Sequence, residues 1–146
     1  MELLRLLTVF FIGGCHVVLS LDEFGDPCNI LTWSNLSGDT DQVVNVTVPK
    51  NCLSGEIDWN YPKGSLLLKQ TAIGGSFSLC VESSWSTNLS GVKDVTGGAN
   101  KILPLPTEGK PSCTLSSDGV AKLILTAPTL QLYMTLVGYR ITPTTQ

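Results

Sequence analysis

Apolar and polar residues alternate with a period close to two along most of this chain. Residues 43–48, 56–61, 65–70, 76–81, 120–127 and 130–142 each follow that alternation, as a half-buried strand does because successive side chains point to opposite faces. Turn formers fall between these stretches: Pro49, Pro62-Lys63-Gly64, Gly74-Gly75, Gly97-Gly98, Pro104, Pro106, Gly109-Lys110-Pro111, Asp118-Gly119 and Pro128. No apolar stripe of helical period runs longer than a turn beyond residue 20. The pattern therefore predicts an all-β sandwich, with hairpins at 62–64 and 127–129. Residues 84–107 are less regular and read as long loops, with one short strand near Lys101-Ile102-Leu103.

The faces follow from the same alternation. Ile57, Trp59 and Tyr61 share one face and Glu56, Asp58 and Asn60 the other. Phe77, Leu79 and Val81 repeat the pattern and leave Cys80 on the opposite face, and Leu123, Leu125 and Ala127 line one face of the penultimate strand. In the last stretch Leu130, Leu132, Met134 and Leu136 share one face and Tyr133, Val137, Tyr139 and Ile141 the other, which predicts a central strand covered on both sides for part of its length.

The amino-terminal residues decide how the cysteines are read. Arg5, the apolar run 6–12 and then Val18-Leu19-Ser20 resemble a secretory signal peptide over residues 1–20, cleaved after Ser20, leaving one domain at 21–146. The run is broken by Gly13, Gly14 and His16 and is short of the roughly 20 apolar residues a bilayer span needs. Ile12-Gly13-Gly14-Cys15 also resembles a bacterial lipoprotein box, but three glycosylation sequons favour a eukaryotic secretory route: Asn35-Leu36-Ser37, Asn45-Val46-Thr47 and Asn88-Leu89-Ser90. A glycan on Asn45 would turn Asn45 and Thr47 to water and Val44, Val46 and Val48 to the core.

Cleavage removes Cys15 and the single histidine, His16. Cys28, Cys52, Cys80 and Cys113 remain, an even set that reads as two disulfides in an oxidising compartment, with three connectivities open. Zinc is disfavoured, since there is no Cys-x-x-Cys spacing and no histidine beyond His16.

Charge narrows the chemistry further. The net charge is −3 with charges scattered, and no basic run suits nucleic acid or an anionic surface. Without a mature histidine, catalysis would need an acid pair, a lysine or a free thiol; Glu56 and Asp58 lie on one strand face, where solvated acids are the ordinary finding, so no catalytic residue and no enzyme activity are expected. Asp39, Asp41, Asp58, Asp94 and Asp118 are scattered loop or strand acids, and no metal or other cofactor is expected. Trp33 and Trp85, close to sequons, are expected to pack under loops; any of Trp33, Trp85 and Tyr133 found exposed would mark a binding face.

Cys52 followed by Ile57-Asp58-Trp59-Asn60-Tyr61-Pro62-Lys63-Gly64-Ser65-Leu66-Leu67-Leu68 resembles CUB domains, in which a cysteine precedes an alternating strand, a Pro-x-Gly turn and a second alternating strand. Residues 55–66 are still more similar to the amino-terminal CUB-like domain of the meteorin and meteorin-like family, where Gly-x-Val-Glu-Trp-x-Tyr-Pro-x-Gly-Ala-Leu follows the second cysteine. The positions of Cys28, Cys80 and Cys113 and the closing strand 136–141 extend the resemblance over the mature chain. It implies a CUB-like antiparallel β-sandwich, a core motif of Ile57, Trp59, Tyr61, Pro62 and Gly64, and bonds between Cys28 and Cys52 and between Cys80 and Cys113. Meteorins continue into a second, netrin-like domain, whereas this sequence ends at Gln146, so neurotrophic or cytokine-like activity is only weakly implied.

The resulting expectation is a secreted, glycosylated, non-enzymatic binding module. It would act as a signalling ligand or accessory on an extracellular protein or receptor, without stable membrane insertion. The alternatives are an inhibitor or defence effector, for which 87–106 is the candidate exposed loop, and a matrix component, which repeats or low complexity would mark.

Overall fold

The alternating stretches fold because each offers one apolar face, and two such faces bury each other. The computed structural model describes residues 25–71, 74–130 and 132–144, so the signal-peptide reading of 1–20, with Cys15 and His16, lies outside the described residues. Among them ten strands form two packed sheets: β1 (Ile30–Trp33), β2 (Val43–Thr47), β3 (Ser54–Asn60), β4 (Ser65–Thr71), β5 (Phe77–Ser83), β6 (Gly91–Asp94), β7 (Lys101–Leu103), β8 (Ser112–Leu115), β9 (Val120–Thr126) and β10 (Met134–Pro143). The first sheet runs β1-β3-β10-β5-β8 and the second β2-β4-β9-β6-β7. Each pairing is antiparallel except at one edge of each sheet, where β1 runs parallel to β3 and β2 parallel to β4.

The core lies between the sheets. Ile57, Trp59, Leu79, Val81, Val137, Tyr139 and Ile141 enter it from the first sheet, and Val46, Leu66, Leu68, Val92, Leu123 and Leu125 from the second. The expected inward faces of 43–48, 76–81 and 120–127 are all found buried or half-buried. β10 is central, between β3 and β5, as expected, but it begins at Met134, and Leu130 and Tyr133 lie exposed ahead of it. Gln70 takes the next inward position after Leu66 and Leu68, and its fully buried carboxamide makes no hydrogen bond within the described residues.

Three expectations need correction. The Pro62-Lys63-Gly64 turn does not close a hairpin; it carries the chain from β3 in the first sheet to β4 in the second, and residues 127–133 carry β9 in the second back to β10 in the first. Alternation says which residues face the core but not from which side, so either connection satisfies it equally. Tyr61 is not a core residue. It lies past the end of β3 with a left-handed φ of 48°, and this turn of the backbone takes its ring out of the inward row of Ile57 and Trp59. Residues 84–107 contain β6 as well as β7, so 87–106 is not a free exposed loop.

Cys28 is bonded to Cys52 and Cys80 to Cys113, the connectivity that joins neighbours in sequence. Cys80 and Cys113 face each other across the β5–β8 pair and tie the edge strand to the sheet. Sequence separations of 24 and 33 residues correspond to about 3 to 4 kcal/mol per bond by chain-entropy arguments.

The first bond also sets up a close approach. The Tyr139 hydroxyl donates to the Cys28 carbonyl at 2.6 Å, directly beside Gly55, where a Cβ would collide with that carbonyl. Glycine is therefore required at 55, the first residue of the stretch that resembles meteorins. Burial, and secondarily the Asp26 carboxylate, raises the Tyr139 pKa above its ordinary value of 10.0.

Two outcomes follow for stability. Trp59→Ala removes a fully buried indole and is expected to cost about 3 to 5 kcal/mol, read from denaturant unfolding; an unchanged midpoint would place Trp59 outside the core. Tyr139→Phe should cost about 0.5 to 1.5 kcal/mol at neutral pH. Because the folded state holds the phenolic proton more tightly than the unfolded one, the native tyrosine's contribution is intact below about pH 10 and is lost as pH rises through the higher folded value. Unfolding midpoints measured from pH 8 upward should fall less steeply for Tyr139→Phe than for the parent chain above about pH 10.

Candidate functional site: an aromatic loop end

Strand directions bring four connections to one end of the sandwich. β1, β3 and β5 finish there, β10 begins there, and in the other sheet β9 finishes where β2, β4 and β6 begin. Residues 34–42, 61–64, 84–90 and 127–133 therefore form a single loop-bearing surface.

Its backbone is held by side chains rooted in the core. The Trp59 indole N–H donates to Ser34 Oγ at 2.8 Å, and the same oxygen accepts from the Lys63 backbone N–H at 3.0 Å while its own proton goes to the Lys63 carbonyl at 3.1 Å. One buried hydroxyl thus joins the core tryptophan, the end of β1 and the Pro-Lys-Gly turn. Gln42 closes the 34–42 loop on itself, its Oε1 accepting from Asn35 N at 2.8 Å and its Nε2 donating to the Asn35 and Asp39 carbonyls at 3.0 and 3.2 Å. The Lys63 ammonium donates to the Gly38 carbonyl. Gly64, with φ of 72°, passes so close to the Gln42 carbonyl that a side chain there would displace the loop.

The 84–90 loop is anchored in the same way. Buried Thr135 accepts from Asn88 N at 2.8 Å and donates to the Ser86 carbonyl at 3.2 Å, and Ser90 Oγ donates to the Ala127 carbonyl at 2.8 Å. Thr87 Oγ1 accepts from Ser84 N at 2.6 Å and donates to the Leu136 carbonyl.

The side chains left outside include four aromatic rings. Trp33 is 58% exposed, Tyr61 38%, Trp85 85% and Tyr133 82%, whereas Trp59, Phe77 and Tyr139 are buried. Every exposed aromatic among the described residues therefore lies at this end. The expectation that Trp33 and Trp85 pack under loops is overturned: Trp33 is on the outward face of an edge strand, opposite Asn60, and Trp85 is at the tip of the turn closed by Thr87 N and the Ser84 carbonyl. Tyr61 and Tyr133 meet edge to face, with ring centroids 6.3 Å apart, and the Tyr61 N–H donates to the Tyr133 carbonyl at 2.7 Å. Beside this pair an open groove of about 600 Å³ runs between the loops, with Leu36, Asp41, Pro62, Pro128 and Leu130 in its walls.

The remaining candidates are dispersed. Asn35 and Asn88 are exposed on the loops of this end, and Asn45 faces outward from edge strand β2. Asp39 and Asp41 lie in the 34–42 loop, but Asp94 and Asp118 are at the opposite end, and no group of three metal-binding side chains gathers among the described residues. Glu56 accepts from Ser84 Oγ at 3.4 Å and Asp58 from Asn60 Nδ2 at 3.0 Å, an arrangement of solvated outward acids. Sequence reading missed Ser34, Gln42 and Thr135, because nothing distinguishes a serine that ends a strand over a buried indole from any other loop serine.

No protein-family description matches this chain, and no curated protein does. Among solved structures it is similar to the CUB1-EGF-CUB2 domains of rat MASP-1, at 12% identity and a TM-score of 0.38, over 71% of this chain and 44% of that one. A similarity of that size adds nothing to the fold, which stands on its own strand order and disulfides.

Ser34→Ala would leave the Trp59 indole N–H and the Lys63 N–H without their acceptor. A loss of about 1 to 3 kcal/mol is expected in denaturant unfolding, with a change in tryptophan fluorescence; a value near zero would show that the hub does not hold this end.

Proposed function

We propose that this chain is a secreted, glycosylated, non-enzymatic binding module that docks on an extracellular protein or receptor through its aromatic loop end. The observation that carries the reading is the segregation of exposed aromatics to one end of the sandwich. Tyr and Trp are the side chains that most often anchor protein interfaces, since they bring large contact areas at low entropic cost. Loops already fixed by Ser34, Gln42 and Thr135 would lose little further freedom on docking.

The two disulfides suit an oxidising, extracellular compartment. No helix among the described residues is long and apolar enough to cross a membrane. The similarity of residues 55–66 to meteorins supports a signalling ligand or accessory role over a matrix or inhibitory one. The Tyr61–Tyr133 pair and its groove form the docking centre in this reading, accepting a protruding apolar side chain of the partner.

An Fc-fused chain tested on cells and against extracellular extracts supplies the assay. Tyr133→Ser and Tyr61→Asn, the latter chosen because asparagine tolerates positive φ, should each weaken capture about tenfold or more. Leu115→Ser, at the opposite end of the first sheet, should leave it unchanged. Equal capture by all three variants would remove the loop end as the docking surface.

A further inference from the structure

The two exposed tryptophans share a property beyond their location. Trp33 stands two residues before the sequon Asn35 and Trp85 three residues before the sequon Asn88. Both pairs are bridged by tight local structure: Ser34 is pinned into the core between Trp33 and Asn35, and Trp85 and Asn88 flank the Thr87 side chain that closes their turn. The third sequon, Asn45, has Gln42 and Val43 at the corresponding positions.

We propose that Trp33 and Trp85 are the platforms on which the first N-acetylglucosamine residues of glycans at Asn35 and Asn88 stack. The inference rests on the glycosylated reading above and names what covers these indoles. A pyranose presents a face of axial C–H bonds that carry partial positive charge. An indole presents an electron-rich face, and the attraction follows the same quadrupole logic that draws cations to aromatic rings. Two or three residues of chain span at most about 7 to 11 Å, within the joint reach of a tryptophan side chain and an asparagine-linked sugar.

The carboxamide of Asn35 is set for this. Its Oδ1 accepts from Ser37 N at 3.1 Å and from Ser37 Oγ at 2.9 Å, so the oxygen is engaged by the sequon's own serine and the nitrogen is the amide atom left for attachment. Attachment forms a bond from Nδ2 to C1 of the sugar, with loss of a proton from nitrogen and departure of the diphosphate of a lipid-linked oligosaccharide donor. At Asn88 the backbone N–H is tied to Thr135 Oγ1 at 2.8 Å, which fixes the main chain from which the exposed side chain projects. Stacking would withdraw both tryptophans from protein contact and leave the Tyr61–Tyr133 pair as the uncovered aromatic surface between two glycans.

The test uses the full chain secreted from eukaryotic cells held at high-mannose glycans. Intact and peptide masses should show sugar on Asn35 and Asn88; bare asparagines at both would overturn this inference, and a bare Asn45 as well would overturn the glycosylated reading with it. With glycans present, Asn35→Gln should lower the melting temperature by about 2 to 5 °C in the parent chain and by almost nothing in a Trp33→Ala background. Asn88→Gln should behave likewise with Trp85→Ala. Trimming to a single N-acetylglucosamine should preserve the effect, because only the first ring stacks. NMR of the trimmed protein supplies a readout independent of stability: C–H protons of the sugars on Asn35 and Asn88 should be shifted upfield by the indole ring current, and those of any sugar on Asn45 should not. Additive melting shifts with unshifted sugar protons would overturn the stacking alone and return both tryptophans to the docking surface.

Discussion

The hydrogen bond from the Trp59 indole to the Ser34 hydroxyl is the constraint on which the loop end depends. A tryptophan can be buried completely only if its N–H finds an acceptor. Here the acceptor is supplied by the residue that follows β1, and the same oxygen then holds the turn leading from one sheet to the other. Core packing and loop position are therefore one problem in this protein. The indole draws the 34–42 loop down over the end of the sandwich, and that loop fixes Gly64 and the entry into β4.

The covalent staples lie elsewhere. Cys28–Cys52 secures the approach to β3 at the far end, and Cys80–Cys113 joins edge strand β8 to β5. At the loop end, buried or partly buried polar side chains serve in their place: Ser34, Gln42, Thr87 and Thr135 satisfy backbone groups of these loops and of the strands beside them. Loops so held keep their exposed aromatics apart from the core without letting them collapse onto it. An end with four exposed aromatic rings is costly to leave in water. That cost is the physical reason to look for what covers them, whether sugar on the tryptophans or a partner on the tyrosines.

Much of the sandwich was legible in the alternation of residues, and the places where it was not are instructive. β1, β6 and β8 are four residues each, too short for a period of two to stand out from chance. Tyr61 continues the inward parity of Ile57 and Trp59 in the sequence, yet its left-handed backbone ends the strand one residue earlier and turns the ring to solvent. The two expected hairpins became sheet-to-sheet crossings, because parity cannot tell a neighbour in the same sheet from one across the core.

What the sequence by itself determined is the all-β class and the inward side chains within the regular strands, since these depend on local periodicity and on burying one face of each strand. The resemblance to CUB domains and meteorins supplied the disulfide partners that spacing had left open, and the structure has that pairing. Only the tertiary structure decided the strand order, the two parallel edges and the gathering of Trp33, Tyr61, Trp85 and Tyr133 at one end. Trp33 ends β1 and the other three lie in three different connections, and their proximity is set by long-range strand pairing that no local pattern encodes.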